Sequence, residues 1–156
     1  MTDYGLLAKQ IVSLSEIDAH WLPVLSNAAA LLWDALDDIN WAGFYLVDPA
    51  TVTGGGSSTP ELRLGPFQGK VACVRIPFGR GVCGTAAATK TSQLVEDVHQ
   101  FPGHIACDSA SNSEVVIPIF KNGQVVGVLD IDSPNVARFT QEDLAGLEQV
   151  VKALES

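Results

Sequence analysis

Apolar positions along the chain switch between two periods. Tyr4, Leu7, Ile11 and Leu14 recur at helical spacing, and Leu22, Leu25, Ala29, Leu32 and Leu36 form a second stripe, with Pro23 acceptable in its first turn. Two helices therefore open the chain. Residues 40–47 (NWAGFYLV) are aromatic and β-rich, whereas residues 51–60, rich in Gly, Ser, Thr and Pro, read as a flexible loop. Strand candidates follow at 61–65 and 71–77. Gly79-Arg80-Gly81 then breaks the pattern, and the alanines of 82–89 suit a short helix with Cys83 near its first turn. A short strand at 94–96 precedes residues 97–113, which lack periodicity; so long a loop is uncommon unless functional or disordered.

Strands at 114–120 and 124–132 flank Asn122-Gly123, a strong hairpin signal. The closing helix has Thr140 as its N-cap with Asp143 three residues on. Phe139 and Leu144 are spaced to staple that cap, and Leu144, Leu147, Val151 and Leu154 face inward. Consecutive strands joined by loops, with helices at both ends, predict an α+β fold: a mainly antiparallel sheet with N- and C-terminal helices packed on it. Neither a repeat nor a second domain is evident, so residues 1–156 are expected to form a single domain.

Composition narrows the function. With 47% hydrophobic and 17% charged residues, the 156-residue chain has ample material for a core. Its net charge of −9 would repel a phosphate backbone or an anionic membrane, so neither nucleic acid nor membrane is an expected partner. Met1-Thr2-Asp3 lacks the basic and apolar regions of a signal peptide, and no uncharged apolar stretch spans a bilayer; a cytoplasmic location is expected. Three cysteines are an odd count that cannot all pair.

Cys107 lies in the long polar loop, beside His104, and reads either as an accessible reactive thiol or as an inert cysteine packed on the domain. Cys83 follows Gly-Arg-Gly at a helix start, where peptide N–H groups and Arg80 would lower a thiol pKa; the plain alternative is a small core residue. Cys73 sits mid-strand in the predicted 71–77 segment, sharing a face with Val71 and Arg75. The cysteine spacings match no compact knuckle with His99 or His104, so no metal is expected. A Cys-His acyl-transfer enzyme would need an oxyanion-hole signature, and none accompanies the thiols.

Asp130 and Asp132, two residues apart, project from one face of their strand with Val126 and Val128, while Leu129 and Ile131 take the other. Whether Glu114 joins them depends on the turn. A two-residue Asn122-Gly123 loop pairs 121 with 124 and hence 115 with 130, which sends Glu114 to the opposite face. A three-residue loop with a left-handed Gly123 pairs 120 with 124 and 114 with 130, and this form is expected because it gathers all three carboxylates. Such a cluster selects a cation, and crowding raises at least one pKa so that a member carries a proton near neutrality. Ordinary strand-end carboxylates in water are the plain alternative. Thiols beside an ammonium-selecting, proton-holding pocket point to thiol redox chemistry on a small substrate.

The segments 40–46, 64–76, 79–84, 97–109, Ser113-Glu114 and 127–134 together resemble the free methionine-(R)-sulfoxide reductases, single-domain enzymes of GAF-like fold. The resemblance covers the chain from about the second helix onward, and residues 51–60 depart from it by their length. It implies reduction of the R-sulfoxide of free methionine, with Cys107 as nucleophile leaving a sulfenic acid, Cys73 as resolving thiol, and Cys83 as an alternative nucleophile or resolver. It further implies that Glu114, Asp130 and Asp132 hold the ammonium and supply the proton, and that Trp41 and Tyr45 wall the methyl-sulfur end, though Trp41 equally suits the core. No cofactor is expected beyond thioredoxin as external reductant, and a homodimer is compatible with the pattern. The contrasting class is a non-catalytic ligand-sensing GAF module; against it stand the absent Asn-Lys-x-x-Phe-x-x-Asp-Glu pattern and carboxylates that would repel a cyclic nucleotide.

Overall fold

A computed structural model describes residues 1–53, 59–104 and 110–155. Helices α1 (Tyr4–Ile17) and α2 (Trp21–Ala35) open the chain. The Asp3 side chain accepts the Leu6 N–H at 3.0 Å and caps α1. His20 does the same for α2 through Nδ1 and the Leu22 N–H, with Pro23 harmless in the first turn. Strand β1 (Trp41–Val47) is followed by a short helix α3 (Pro49–Thr53), then β2 (Glu61–Gly69), β3 (Arg75–Pro77), α4 (Gly81–Thr89) and β4 (Gln93–Val95). Strands β5 (Ser113–Lys121) and β6 (Gln124–Ser133) form the hairpin, and α5 (Gln141–Glu155) closes the chain. Thr140 Oγ1 accepts the Asp143 N–H at 3.1 Å while Asp143 Oδ2 accepts the Thr140 N–H at 2.9 Å, the reciprocal cap expected from the sequence.

Among the described residues, six strands form one antiparallel sheet in the order β3-β2-β1-β6-β5-β4. Its alternating side chains feed two separate cores. On one face, Ala42, Phe44, Val115, Ile117, Ile119, Leu129 and Ile131 meet the apolar stripes of α1, α2 and α5. On the other, Trp41, Tyr45, Leu62, Val116 and Val128 meet Ile76 and the Val82, Cys83, Ala86 and Ala87 stripe of α4. Among the described residues, helix α4 and the β2–β3 connection cover this second face together with Phe78 and Phe101, and the buried carboxylates lie here.

Three expectations need correction. The predicted strand 71–77 shrinks to Arg75–Pro77, while β2 runs on to Gly69 past Pro66. Pro66 is tolerated because Gly43 pairs with Phe67 and Tyr45 with Leu64, leaving a bulge at Gly65-Pro66 where no ladder N–H is needed. Val71 and Val74, whose β-branched chains suggested a strand, are 89% and 65% exposed, and Cys73 sits in an irregular connection rather than mid-strand. In the supposed loop 51–60, residues 51–53 are helical, and residues 54–58 lie outside the described set. Within 97–113, Val98–Gln100 form a 3-10 turn that buries Val98, Asp97 capping it through the His99 N–H, and residues 105–109 lie outside the described set.

Candidate active site

The β5–β6 hairpin brings the carboxylates together by an unexpected route. Asn122 and Gly123 both have positive φ, 53° and 75°, and Lys121 pairs with Gln124, so the turn has two residues and not three. Carried on unbroken, that register would send Glu114 to the helical face. Instead Phe120 pairs with Val125 but Ile119 with Gly127, so one extra residue sits in β6. This bulge restores the parity: Val116 lies opposite Asp130 and Glu114 opposite Asp132. The expected 114–130 pair is therefore replaced, while the shared face survives. Val126, expected beside Val128, packs on the helical side, and Val125 takes the site side. Gly127 permits the bulge, since a Cβ there would lie 2.7 Å from the Tyr45 carbonyl oxygen of neighbouring β1.

Strand β1 completes the floor, with Trp41 opposite Asp132, Gly43 opposite Asp130 and Tyr45 opposite Val128. Helix α4 forms the roof. Its Gly84 fits against the preceding turn, where a Cβ would lie 2.5 Å from the Pro77 carbonyl oxygen, and this close seat lowers Cys83 onto the hairpin. The Cys83 thiol donates to Glu114 Oε2 at 3.9 Å. Cys83, Glu114 and Asp130 are 4%, 8% and 5% exposed, and one ligand-type atom from each lies within 4.8 Å of the others. These three residues are the group able to hold a metal ion among the described residues.

Electrostatics follow from this crowding. Burial and then the Asp130 carboxylate push Glu114 well above the usual carboxylate range; burial and then Asp132 do the same to Asp130. Burial, followed by the charges of Asp130, Glu114 and Asp132, raises the Cys83 thiol. This reverses the expectation of a lowered pKa, because three nearby carboxylates and desolvation outweigh the helix N-terminus and the exposed Arg80. Asp130 Oδ1 is buried without a hydrogen-bond partner among the described residues. Burying a carboxylate oxygen unpaired is costly, and a cation donor entering the cleft would relieve the cost.

The two aromatic candidates do more than line a wall. Trp41 stacks on Phe67 and on Tyr45, with centroids 5.2 and 5.8 Å apart, and both Trp41 and Tyr45 are almost fully buried. Trp41 Nε1–H donates to the Lys70 carbonyl at 3.1 Å, and the Tyr45 hydroxyl donates to the Cys73 carbonyl at 2.9 Å. Both side chains thus pin the β2–β3 connection above the carboxylates. Cys73 is disulfide-bonded, and Cys83 is a free thiol. Cys107 lies outside the described residues.

The cleft is lined by every described candidate carboxylate and aromatic, and by residues that the sequence patterns did not single out for binding. Arg80 is the permanent cation among the described lining residues; the sequence marked it as a charge beside the Cys83 thiol and not as a substrate-binding group. Ser111 is nearly buried and exchanges hydrogen bonds with Asn40, a pairing across 71 positions that no local pattern signals. His104 also lines the cleft, and burial lowers its pKa.

Residues 24–155 match the GAF domain family model. The free methionine-R-sulfoxide reductase of Escherichia coli (strain K12) is 53% identical over 152 residues, 97% of this chain and 86% of its own. Among solved structures, the reduced form of fRMsr of Staphylococcus aureus is 53% identical with a TM-score of 0.89, covering 99% of this chain and 94% of that one. The free methionine-R-sulfoxide reductase of Neisseria meningitidis, solved in complex with its substrate, is 45% identical with a TM-score of 0.88, covering 97% and 86%. Agreement of this extent, in sequence and in the sheet that carries the buried carboxylates, places the chain in the free methionine-(R)-sulfoxide reductase family of GAF-domain enzymes.

Proposed function

We propose that this chain reduces free methionine (R)-sulfoxide to methionine, with Cys107 as nucleophile and Cys73 as resolving thiol. The observation that carries the reading is the Glu114–Asp130–Asp132 cluster, with Glu114 and Asp130 buried and Asp132 partly so, Asp130 Oδ1 unsatisfied among the described residues and Arg80 on the same cleft. A free amino acid carries an ammonium and a carboxylate, whereas a residue within a protein carries neither. The three carboxylates suit the first and the Arg80 guanidinium suits the second. The ammonium neutralises charge that the cluster otherwise holds at a cost, so binding relieves an existing strain.

Chemistry then needs a thiolate and an acid. The Cys107 thiolate attacks the sulfoxide sulfur while a proton held in the carboxylate cluster passes to the sulfoxide oxygen. Methionine leaves, and oxygen remains on Cys107 as a sulfenic acid. The Cys73 thiol attacks that sulfur, water departs, and a Cys73–Cys107 disulfide forms. Thioredoxin returns both thiols, so that each turnover consumes one dithiol and yields one water. Support comes from Cys73 being disulfide-bonded while Cys83 is free, and from the raised pKa of Cys83, which suits a protonated hydrogen-bond donor rather than a nucleophile. The relatives' names and the substrate-bound relative support the substrate.

A single-turnover assay without reductant tests the roles. Cys107→Ser is expected to abolish methionine release, whereas Cys73→Ser releases one equivalent and stalls with a sulfenic acid trappable by dimedone. Release by Cys107→Ser, or its loss in Cys83→Ser alone with the fold intact, overturns the assignment.

A further inference from the structure

Cys83 takes no part in the thiol cycle above, yet it is held beside Glu114 and Asp130, two of the three buried carboxylates among the described residues. It reaches there from α4, Glu114 from β5 and Asp130 from β6, so no sequence spacing could have announced the trio. One donor atom from each lies within 4.8 Å of the others, with Sγ of Cys83 at 3.9 Å from Oε2 of Glu114. All three are more than nine-tenths buried, and Asp130 Oδ1, in the cleft lining, has no hydrogen-bond partner among the described residues.

We infer that Cys83, Glu114 and Asp130 form a binding site for a thiophilic divalent cation of the zinc class. A tetrahedral zinc with a sulfur ligand at about 2.3 Å and oxygens at about 2.0–2.2 Å places its donors roughly 3.3–3.8 Å apart, an adjustment of about 1 Å for these side chains. A thiolate with two carboxylates favours zinc over magnesium or calcium, which take oxygen ligands. Three protein ligands leave a fourth position open to the cleft. As the metal binds, the thiol proton and the protons held on Glu114 and Asp130 leave to solvent. The metal occupies the carboxylates assigned above to the substrate ammonium, so in the reduced enzyme it acts as an inhibitor; that consequence, unlike the site itself, rests on the substrate reading.

The test is a titration with Co²⁺ of the full chain carrying Cys73→Ser and Cys107→Ser, in which Cys83 is the sole thiol. No methionine compound is present. One equivalent of Co²⁺ is expected to produce a near-ultraviolet thiolate-to-metal charge-transfer band that Zn²⁺ abolishes. Adding Cys83→Ser removes the band, and adding Glu114→Gln instead weakens Co²⁺ binding at least about tenfold. Circular dichroism establishes that each variant is folded. Absence of the band at saturating Co²⁺, or Co²⁺ binding unchanged by Cys83→Ser or Glu114→Gln, overturns the site. Because the titration contains no substrate, its failure leaves the reductase reading intact, and failure of methionine release leaves the titration intact.

Discussion

Asp130 occupies a place where negative charge is hard to keep, packed between Cys83, Glu114 and Asp132 on a floor of strands. Its substitution by Asn separates binding from stability. Asp130→Asn should raise KM for free methionine sulfoxide about ten- to hundredfold, the worth of a hydrogen bond to a charged group, as steady-state kinetics will report. The same change should raise Tm at neutral pH. The native state holds protons on Glu114 and Asp130 above the ordinary carboxylate range, so it binds more protons than the unfolded chain and loses stability as pH rises from about 4. Asn removes the Asp130 share of that loss, and the Tm difference from wild type should therefore be small near pH 4 and grow toward pH 7. A lower Tm for the variant across that range would contradict the origin given for the shift. Tyr45 offers a second separation. Tyr45→Phe keeps the ring and removes the hydroxyl that holds the Cys73 carbonyl, so it should cost about 0.5–1.5 kcal/mol and slow disulfide formation while leaving the first methionine release unchanged. Equal slowing of both steps would place the hydroxyl at the substrate instead.

At the scale of elements, the hairpin decides whether a site exists. Its two-residue turn alone would aim Glu114 at the helical core, and one extra residue in β6 reverses that. Deleting Val126 should remove the bulge yet leave Ile119 opposite Gly127 and Glu114 opposite Asp132, so the carboxylates stay on one face and substrate binding should persist while the far-ultraviolet dichroism stays that of a folded protein. Loss of binding in a folded deletion variant would contradict this register. The same element marks the limit of sequence reading. The alternation Asp130, Asp132 against Leu129, Ile131 was legible because period two is local, and so was the reciprocal Thr140–Asp143 cap. The bulge was not, since it depends on Gly127 meeting the backbone of β1, far away in sequence. Cys73 was misplaced for a related reason. Val71 and Val74 look like strand residues, but past the Leu64 N–H bond to the Val74 carbonyl their segment is held by side-chain hydrogen bonds from Trp41 and Tyr45. Cys83 was misjudged because its charge environment comes from two strands that no local pattern links to α4.

The whole molecule divides its labour between the two faces of one sheet. Helices α1, α2 and α5 seal the first face with aliphatic side chains, which lets the second carry buried charge beneath α4 and the β2–β3 connection. No described helix is long and apolar enough to cross a membrane. The resemblance seen in the sequence and the family match agree over nearly the full chain, and the substrate reading turns on one property of the cleft, its demand for an ammonium group. Methionine release in the presence of dithiothreitol, measured side by side on the R and S forms of free methionine sulfoxide and on the N-acetylated R form, tests that claim most directly. The account predicts release from the free R form, none from the S form, and at most a small fraction from the N-acetylated R form. No release from the free R form, or equal rates with and without the N-acetyl group, would contradict it.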